Sequence, residues 1–451
     1  MYKRLLLSGV SAFVCVAGAQ AADWSVKARS VEYVQVCSAY GAGFFYLPGT
    51  DTCLQVSGYL RADFYANGVA AFNPYISGQI SNDNLDRYTS FARGIVYLDA
   101  RTETAWGTLR GYMGVGGHVF SWDKNLIASH YFPRAFLQFA GLTAGYTQSF
   151  FDPVDAGRTF LYTTAYTRSD RWTNLLAYTH EFGGGLSGTV SLEDGTFRNE
   201  GIGPYYNAAR GEGDEQGGNA MPDVVLNLRL ERDWGAVQLN GALHQVRVAT
   251  LQSDYDSSVD KMGWALGGVV SFKLPMLAAG DEIYFTGAYA DGAMSYAGLS
   301  GNPTSPSPRV LGQINGDLQG GAYYLTADAV WNGVNDYHTS TAWSVSTQFR
   351  HYLLKNLRAN FYAGYISVDT ADSAYGKQHG YMDLDLWQVG GGMAWFPARQ
   401  LEIGVEVIYS RIDGSEPFMV NGCTSAYNGV NFSCGGSVGT WTGGLRFQRF
   451  F

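Results

Sequence analysis

Alternation with period two constrains this chain more than any other feature, and it is clearest over residues 438–451. There Trp441, Gly443, Leu445, Phe447 and Phe451 fall on one parity, and Thr440, Thr442, Gly444, Arg446 and Gln448 fall on the other. Successive side chains of a β-strand point to opposite faces, so this stretch reads as a strand with one apolar and one polar face. It is about as long as a tilted strand that crosses a bilayer. Arg449 breaks the pattern on the apolar parity.

The same pattern recurs along the chain. Leu54, Val56, Gly58, Leu60, Ala62 and Phe64 oppose Gln55, Ser57, Tyr59, Arg61 and Asp63. Ala92 to Ala100 on even positions oppose Arg93, Tyr97, Asp99, Arg101 and Glu103; Leu109, Gly111 and Met113 oppose Thr108, Arg110 and Tyr112; Ala135, Leu137 and Phe139 oppose Arg134, Phe136 and Gln138. Further segments start near Val224, Val237, Trp343, Leu357 and Leu401, while 171–182 and 383–396 carry apolar residues on both parities. A soluble sandwich turns such an apolar face to a core, and a membrane barrel turns it to lipid. Charged residues make up 15% of the chain, against about 25% in soluble domains, alongside 58 glycines and 31 tyrosines. Beyond the first two dozen residues no run of 18 apolar residues occurs, which excludes a helical membrane protein. A secreted array of β-sandwiches shares part of this profile. The net charge of −9 argues against nucleic acid as a partner.

Connector lengths separate barrel from sandwich. Short connectors at 105–107, 141, 183–185, 233–235, 274–280, 353–356 and 397–400 alternate with long ones at 67–88, 116–130, 149–170, 195–221, 250–261, 291–338, 370–382 and 412–437. Short periplasmic turns and long outer loops mark an outer-membrane barrel. Seven short and eight long connectors join sixteen strands, so the expectation is an all-β, sixteen-stranded antiparallel transmembrane barrel. Residues 321–332 also read as a strand; counting it would reverse the side of every later turn, so it is placed inside a long outer loop.

Residues 1–21 read as a secretory signal, with Lys3 and Arg4, an apolar core from Leu5 to Gly18, and Ala19-Gln20-Ala21 as the cleavage site. Residues 22–53 read as an N-terminal arm and 54–451 as the barrel. Outside the signal the cysteines are Cys37, Cys53, Cys423 and Cys434. An oxidising periplasm permits disulfides, and four cysteines allow three pairings. The local pairs Cys37–Cys53 and Cys423–Cys434 are the simplest, each worth roughly 2–4 kcal/mol. No histidine stands at ligand spacing beside either pair, so no metal site is expected, and no cofactor motif is present.

Sixteen strands enclose a water-filled lumen. The third long loop is the natural constriction folded into it: it carries Asp152, Asp155 and Asp170, with Phe150, Phe151, Phe160 and Leu161 to hold it to the wall. Arg61, Arg101, Arg110 and Arg134 lie on the lumen parity, because an arginine facing lipid costs roughly 2–4 kcal/mol at midplane. Arginines opposite loop carboxylates would set a transverse field across the neck and bias ion passage.

An alternating last strand that closes on Phe resembles the C-terminus of bacterial outer-membrane barrels. The run from Cys37-Ser-Ala-Tyr-Gly-Ala-Gly-Phe-Phe-Tyr to Cys53-Leu-Gln-Val-Ser-Gly-Tyr-Leu-Arg61 resembles the N-terminal motif of the alphaproteobacterial outer-membrane porin family, the general diffusion porins of Brucella and Rhizobium type. Gly145-Tyr-Thr-Gln-Ser-Phe-Phe-Asp152 is similar to that family's lead-in to the constriction loop, and Trp387–Trp395, Leu401–Arg411 and Trp441–Arg446 to its last strands. The resemblance implies an outer-membrane homotrimer that passes ions and small hydrophilic solutes, bordered by membrane lipid and lipopolysaccharide, with Asp152 and Asp155 at the eyelet. It does not imply an enzyme. An outer-membrane hydrolase would need a base in a catalytic motif, and none of the histidines sits in one. An energised transporter needs a plug domain for which 22–53 is too short, and an adhesive or structural barrel would have a blocked lumen. The acidic run Gly211-Glu-Gly-Asp-Glu215 reads either as a solvated loop or as a site for calcium or for bridging lipopolysaccharide.

Overall fold

The computed structural model describes residues 35–66, 88–120, 129–152, 167–203, 215–249, 258–298, 322–332, 336–371, 381–414 and 437–451, with the short pieces 68–69, 73–74, 206–207, 212–213, 309–311 and 433–434. The signal segment 1–21, Asp155 and Cys423 lie outside these residues, as do the side chains of the acidic run 211–215.

Period-two segments can satisfy their backbone only by pairing, and in lipid a sheet must also lose its edges. The chain does both. Its strands are β1 (Cys53–Ala66), β2 (Tyr88–Thr104), β3 (Gly107–Phe120), β4 (Ser129–Phe139), β5 (Leu142–Gln148), β6 (Trp172–Gly183), β7 (Leu186–Glu193) and β8 (Asp223–Arg232), then β9 (Gly235–Ala249), β10 (Ser258–Lys273), β11 (Glu282–Asp291), β12 (Thr341–Leu354), β13 (Leu357–Asp369), β14 (Leu384–Ala398), β15 (Leu401–Gly414) and β16 (Ser437–Phe450). Each pairs antiparallel with the next, and β16 closes on β1 from Tyr59↔Phe450 to Ala66↔Gly443. The result is a closed antiparallel barrel of 16 strands. At the seam Phe451 N donates to Gly58 O at 3.1 Å and Gly58 N to Phe451 O at 3.0 Å. A Cβ at position 58 would stand 2.2 Å from Ile95 O and 2.6 Å from the Phe451 ring, so only glycine fits.

The seven short turns lie at one end. In one of the two-residue turns, Ala140 (φ 50°) and Gly141 (φ 85°) are both left-handed, the geometry that matches strand twist. The eight long connections, L1 to L8 in chain order, lie at the other end. Residues 322–326 pair with 309–311, and 329–331 with 337–339; neither joins the wall, so 321–332 belongs to L6 as expected. The second loop is shorter than expected, because 116–120 continue β3 against β2. Its glycines mark close approach: a Cβ on Gly116 would sit 2.8 Å from Gly94 O.

The wall is inverted relative to a soluble protein. Leu60, Leu239 and Val405 are 60%, 61% and 50% exposed, while the neighbouring Asp63, Gln238 and Glu406 on the other face are 1%, 0% and 2% exposed. The aliphatic rows face outward, as the membrane reading requires. Among the described residues, the largest cluster of buried apolar side chains sits inside the loop end of the barrel. Phe151 of L3 and Met294 and Tyr296 of L6 pack there against Val225, Ala242, Ala265, Ala290, Ala342 and Ile366 of the inner wall. Small wall residues let the loops come close: a Cβ on Gly267 would meet the Phe151 ring at 2.9 Å.

At the turn end, a disulfide joins Cys37 to Cys53. It ties the short strand Phe44–Tyr46 back onto β1 at Phe44↔Gln55 to Tyr46↔Cys53.

Candidate functional site

The third loop leaves β5 at Ser149 and turns into the lumen. Side-chain amides on the inner faces of β8 and β9 hold its backbone. Asn227 Nδ2 donates to Phe150 O at 2.8 Å, Asn240 Nδ2 to Phe151 O at 2.7 Å, and Gln238 Nε2 to Asp152 O at 2.9 Å. Phe150 N donates to Glu193 Oε1 at 2.9 Å. At its return, Thr167 hydrogen-bonds the Tyr362 hydroxyl of β13. The loop is therefore fixed to the wall at β8–β9 and again at β13.

The Asp152 carboxylate is the centre of this attachment. Arg198 Nη2 donates to Oδ1 at 2.9 Å, Ser169 Oγ to Oδ1 at 2.5 Å, and Arg171 N to Oδ2 at 2.5 Å. Asp152 and Arg198 side chains are both 0% exposed. Asp152, expected at the eyelet, is buried here, and its oxygens close the loop on itself and on L4. Burial pulls the Arg198 guanidinium down, but Asp152, Tyr296 and Glu193 beside it hold it above its ordinary value.

A second layer extends this attachment to L6. The Tyr296 ring stands 4.1 Å from the Arg198 guanidinium carbon and 4.7 Å, edge to face, from Phe151. Its hydroxyl donates to Asp223 Oδ2 at 2.6 Å. Burial first, and Asp223 second, push this phenol well above its usual value. His244 Nδ1 lies 2.8 Å from Asp223 Oδ1. Asp328 accepts from Glu200 N at 2.7 Å and Met294 N at 2.9 Å. Loops L3, L4 and L6 are thereby joined through buried ionic and aromatic contacts.

The opposite region, the inner face of β16 and β1–β4, carries the arginines. Arg101 and Arg110, directly paired across β2 and β3, both grip Asp99 in two-point contacts between 2.8 and 3.0 Å. Arg101 also lies over Phe44 at 4.9 Å, beneath the disulfide-tied arm. Nearer the loops, Arg446 grips Asp63 at 2.7 and 2.9 Å, and Arg61 Nε approaches the same carboxylate at 3.1 Å. Arg134 stacks over Trp172 at 4.4 Å.

Of the acidic loop residues, Asp170 lies 3.7 Å from Arg168 and is the more open carboxylate, with a side chain 36% exposed. Cys434 pairs through its backbone with Tyr323. Alternation along the strands placed Arg61, Arg101, Arg110 and Arg134 together on one inner face. It also put Arg93 and Arg446 on the polar parity without naming them as pore-wall residues, and it missed His118, which shares that face but was read as part of a loop. Nor did it identify Arg198, Tyr296 and Asp328, which come from loops where no periodicity exists; their only signal was charge or an aromatic ring in a polar loop.

The comparisons with known proteins agree with this architecture. A family model described as the porin subfamily matches residues 23–433. Porin Omp2b of Brucella suis is 31% identical over 252 residues, which span 52% of this chain and 64% of that protein; porin Omp2b of Brucella abortus is 32% identical over 261 residues, with the same coverage. The matched part is thus just under two thirds of those relatives. The outer membrane channel DcaP of Acinetobacter baumannii superposes with a TM-score of 0.62 at 15% identity, over 90% of this chain and 99% of that one, a likeness of fold. With a family match that runs through nearly every strand of the wall, the chain belongs to the porin subfamily, as a multi-pass β-barrel of the Gram-negative outer membrane.

Proposed function

We propose that this barrel is a water-filled pore for passive diffusion of ions and small hydrophilic solutes, and not an enzyme. The observation that carries the reading is the inverted wall: aliphatic rows outside, and inside a wall of Arg61, Asp63, Asp99, Arg101, Arg110 and Arg446. Such a lumen is worth building only around water, since a dry one would leave these charges at high cost. L3, anchored to the wall at two places, narrows the passage, and Asp155 and Asp170 are the loop carboxylates assigned to its neck. The pore works as a homotrimer, with lipid and lipopolysaccharide around its outer face. The test is planar-bilayer conductance of the purified full chain in KCl. Stepwise, voltage-tolerant conductance increments are expected; their absence, with folded protein inserted, would turn the assignment toward a structural barrel.

A further inference from the structure

Three aromatic rings and two guanidiniums share the inner face of β2–β4 near the short-turn end. The register sets Arg101 opposite Arg110, Asp99 opposite Tyr112 and Tyr97 opposite Gly114 across β2 and β3, and Tyr112 opposite Phe136 across β3 and β4. Side chains directly or diagonally opposed on one face are neighbours, and the rings follow that order. Tyr97 and Tyr112 stand 5.8 Å apart between centres, and Tyr112 and Phe136 are stacked at 5.1 Å. Arg110 lies against the last two, 5.0 and 5.5 Å from their centres. Gly114 makes room for the first ring. A Cβ there would stand 2.8 and 2.9 Å from ring carbons of Tyr97, so this ring lies across the bare backbone of the next strand.

These rings differ from others on the inner wall in meeting the lumen. Tyr284 and Tyr362 are covered, at 7% and 2% exposed, whereas Tyr97, Tyr112 and Phe136 are half-buried. The charges beside them are balanced. Asp99 takes both Arg101 and Arg110, and Glu103 accepts from the Tyr40 and Thr108 hydroxyls at 3.0 and 3.3 Å. Two guanidiniums against two carboxylates do not select a solute by the sign of its charge. What they supply is hydrogen-bonding groups in fixed places. Arg101 spends Nε and Nη2 on Asp99, and Phe44 of the disulfide-tied arm lies 4.9 Å from its guanidinium carbon. Its Nη1 has no acceptor among the described residues, and the side chain is 26% exposed, so water reaches it. The Tyr112 hydroxyl likewise has no hydrogen-bond partner among the described residues. A donor already held in place loses little freedom when a solute arrives.

A surface that joins aromatic rings to a few fixed polar groups suits a solute built the same way. A pyranose has apolar C–H faces and a rim of hydroxyls. Its faces can cover aromatic rings that otherwise meet water, and its hydroxyls can accept from a guanidinium and exchange hydrogen bonds with a phenol. We propose that Tyr97, Tyr112 and Phe136, with Arg101 Nη1 and the Tyr112 hydroxyl, form a sugar-binding station on the lumen wall, where a neutral pyranose pauses during passage. The proposal rests on the pore reading and names a solute class for this part of the wall.

The test is single-channel recording of the full chain in KCl with added maltotriose, against the same mass of sorbitol, which carries hydroxyls but no ring. Wild type is expected to show a saturable reduction of current by maltotriose that sorbitol does not reproduce. In Tyr97→Leu and Tyr112→Leu the half-blocking concentration should rise by about fivefold for each ring removed, the scale of one aromatic contact. Tyr97→Phe, which restores the ring alone, should restore the block. Each variant is first checked for folding by its heat-dependent shift in gel mobility. Absence of conductance steps in the folded wild type overturns the pore reading and the station together. Normal steps with maltotriose no more effective than sorbitol overturn the station alone, as does a block unchanged in the folded double leucine variant. Block by benzoate at a lower concentration than by maltotriose would give the rings to aromatic anions and overturn the sugar class.

Discussion

The lumen has two charged regions built from the same residue types, and they differ in their access to water. Under the loops, Asp152 and Arg198 are fully enclosed, with Tyr296 stacked on the guanidinium and Asp223, His244 and Asp328 behind them. On the β1–β4 wall, Arg101 and Arg110 keep side chains 26% and 25% exposed over Asp99. A charge pair taken fully out of water is held together by the penalty of separating it. It therefore acts as a mechanical fastening, and its field is largely cancelled at the solute. A pair left partly in water is weaker as a fastening but acts on whatever passes. Asp152 belongs to the first kind although it lies in the constriction loop, so its place in the sequence misstates its role.

Substitutions can break this contrast. The largest effect is expected for Asp152→Asn, which leaves Arg198 buried without its counter-charge: a loss of about 3–5 kcal/mol, read by urea unfolding in detergent micelles, with noisier channel current as L3 loosens. A loss below about 1 kcal/mol would mean that the enclosed pair behaves like a surface one. Next is Asp99→Asn. Because its partners are a quarter exposed, about 1–2 kcal/mol is expected. The substitution should also leave the part-exposed Arg101 and Arg110 guanidiniums facing each other without their shared counter-charge, so that the reversal potential in a KCl gradient shifts toward anions. The smallest effect concerns pH at Tyr296. Its folded-state phenol titrates above the unfolded value of about 10, so the stability it contributes is complete below pH 10 and is lost as pH rises through the folded value. Ultraviolet difference titration of wild type against Tyr296→Phe should lack one phenolate transition at pH 10–11 that appears only on unfolding. A Tyr296 transition at the ordinary pH in the folded protein would show that the enclosed region admits water.

The strands were legible because lipid outside and water inside impose a strict binary choice on every wall residue. The length of L2 was not, since Gly116 suits a loop as well as it suits a strand pressed against its neighbour. Parity gave the face of Asn227, Gln238, Asn240 and His244 but not their partners, which lie in L3, L6 and the start of β8. The Asp152–Arg198 contact joins two loops, and nothing periodic relates one loop to another. The direct opposition of Arg101 and Arg110 was likewise hidden: register, a property of two strands together, decides which side chains face each other.

The seam between β1 and β16 bears on how the molecule comes into being. Asp63 and Arg446 grip each other across 383 positions of chain, so the contact that seals the wall joins some of the most distant parts of the polypeptide. Such contacts form late and slowly, because the intervening chain must be ordered first. Until then two unpaired strand edges remain, each able to recruit a neighbouring chain. A nascent copy therefore needs shelter during its transit, and the last bond to form is the one that ends the hazard.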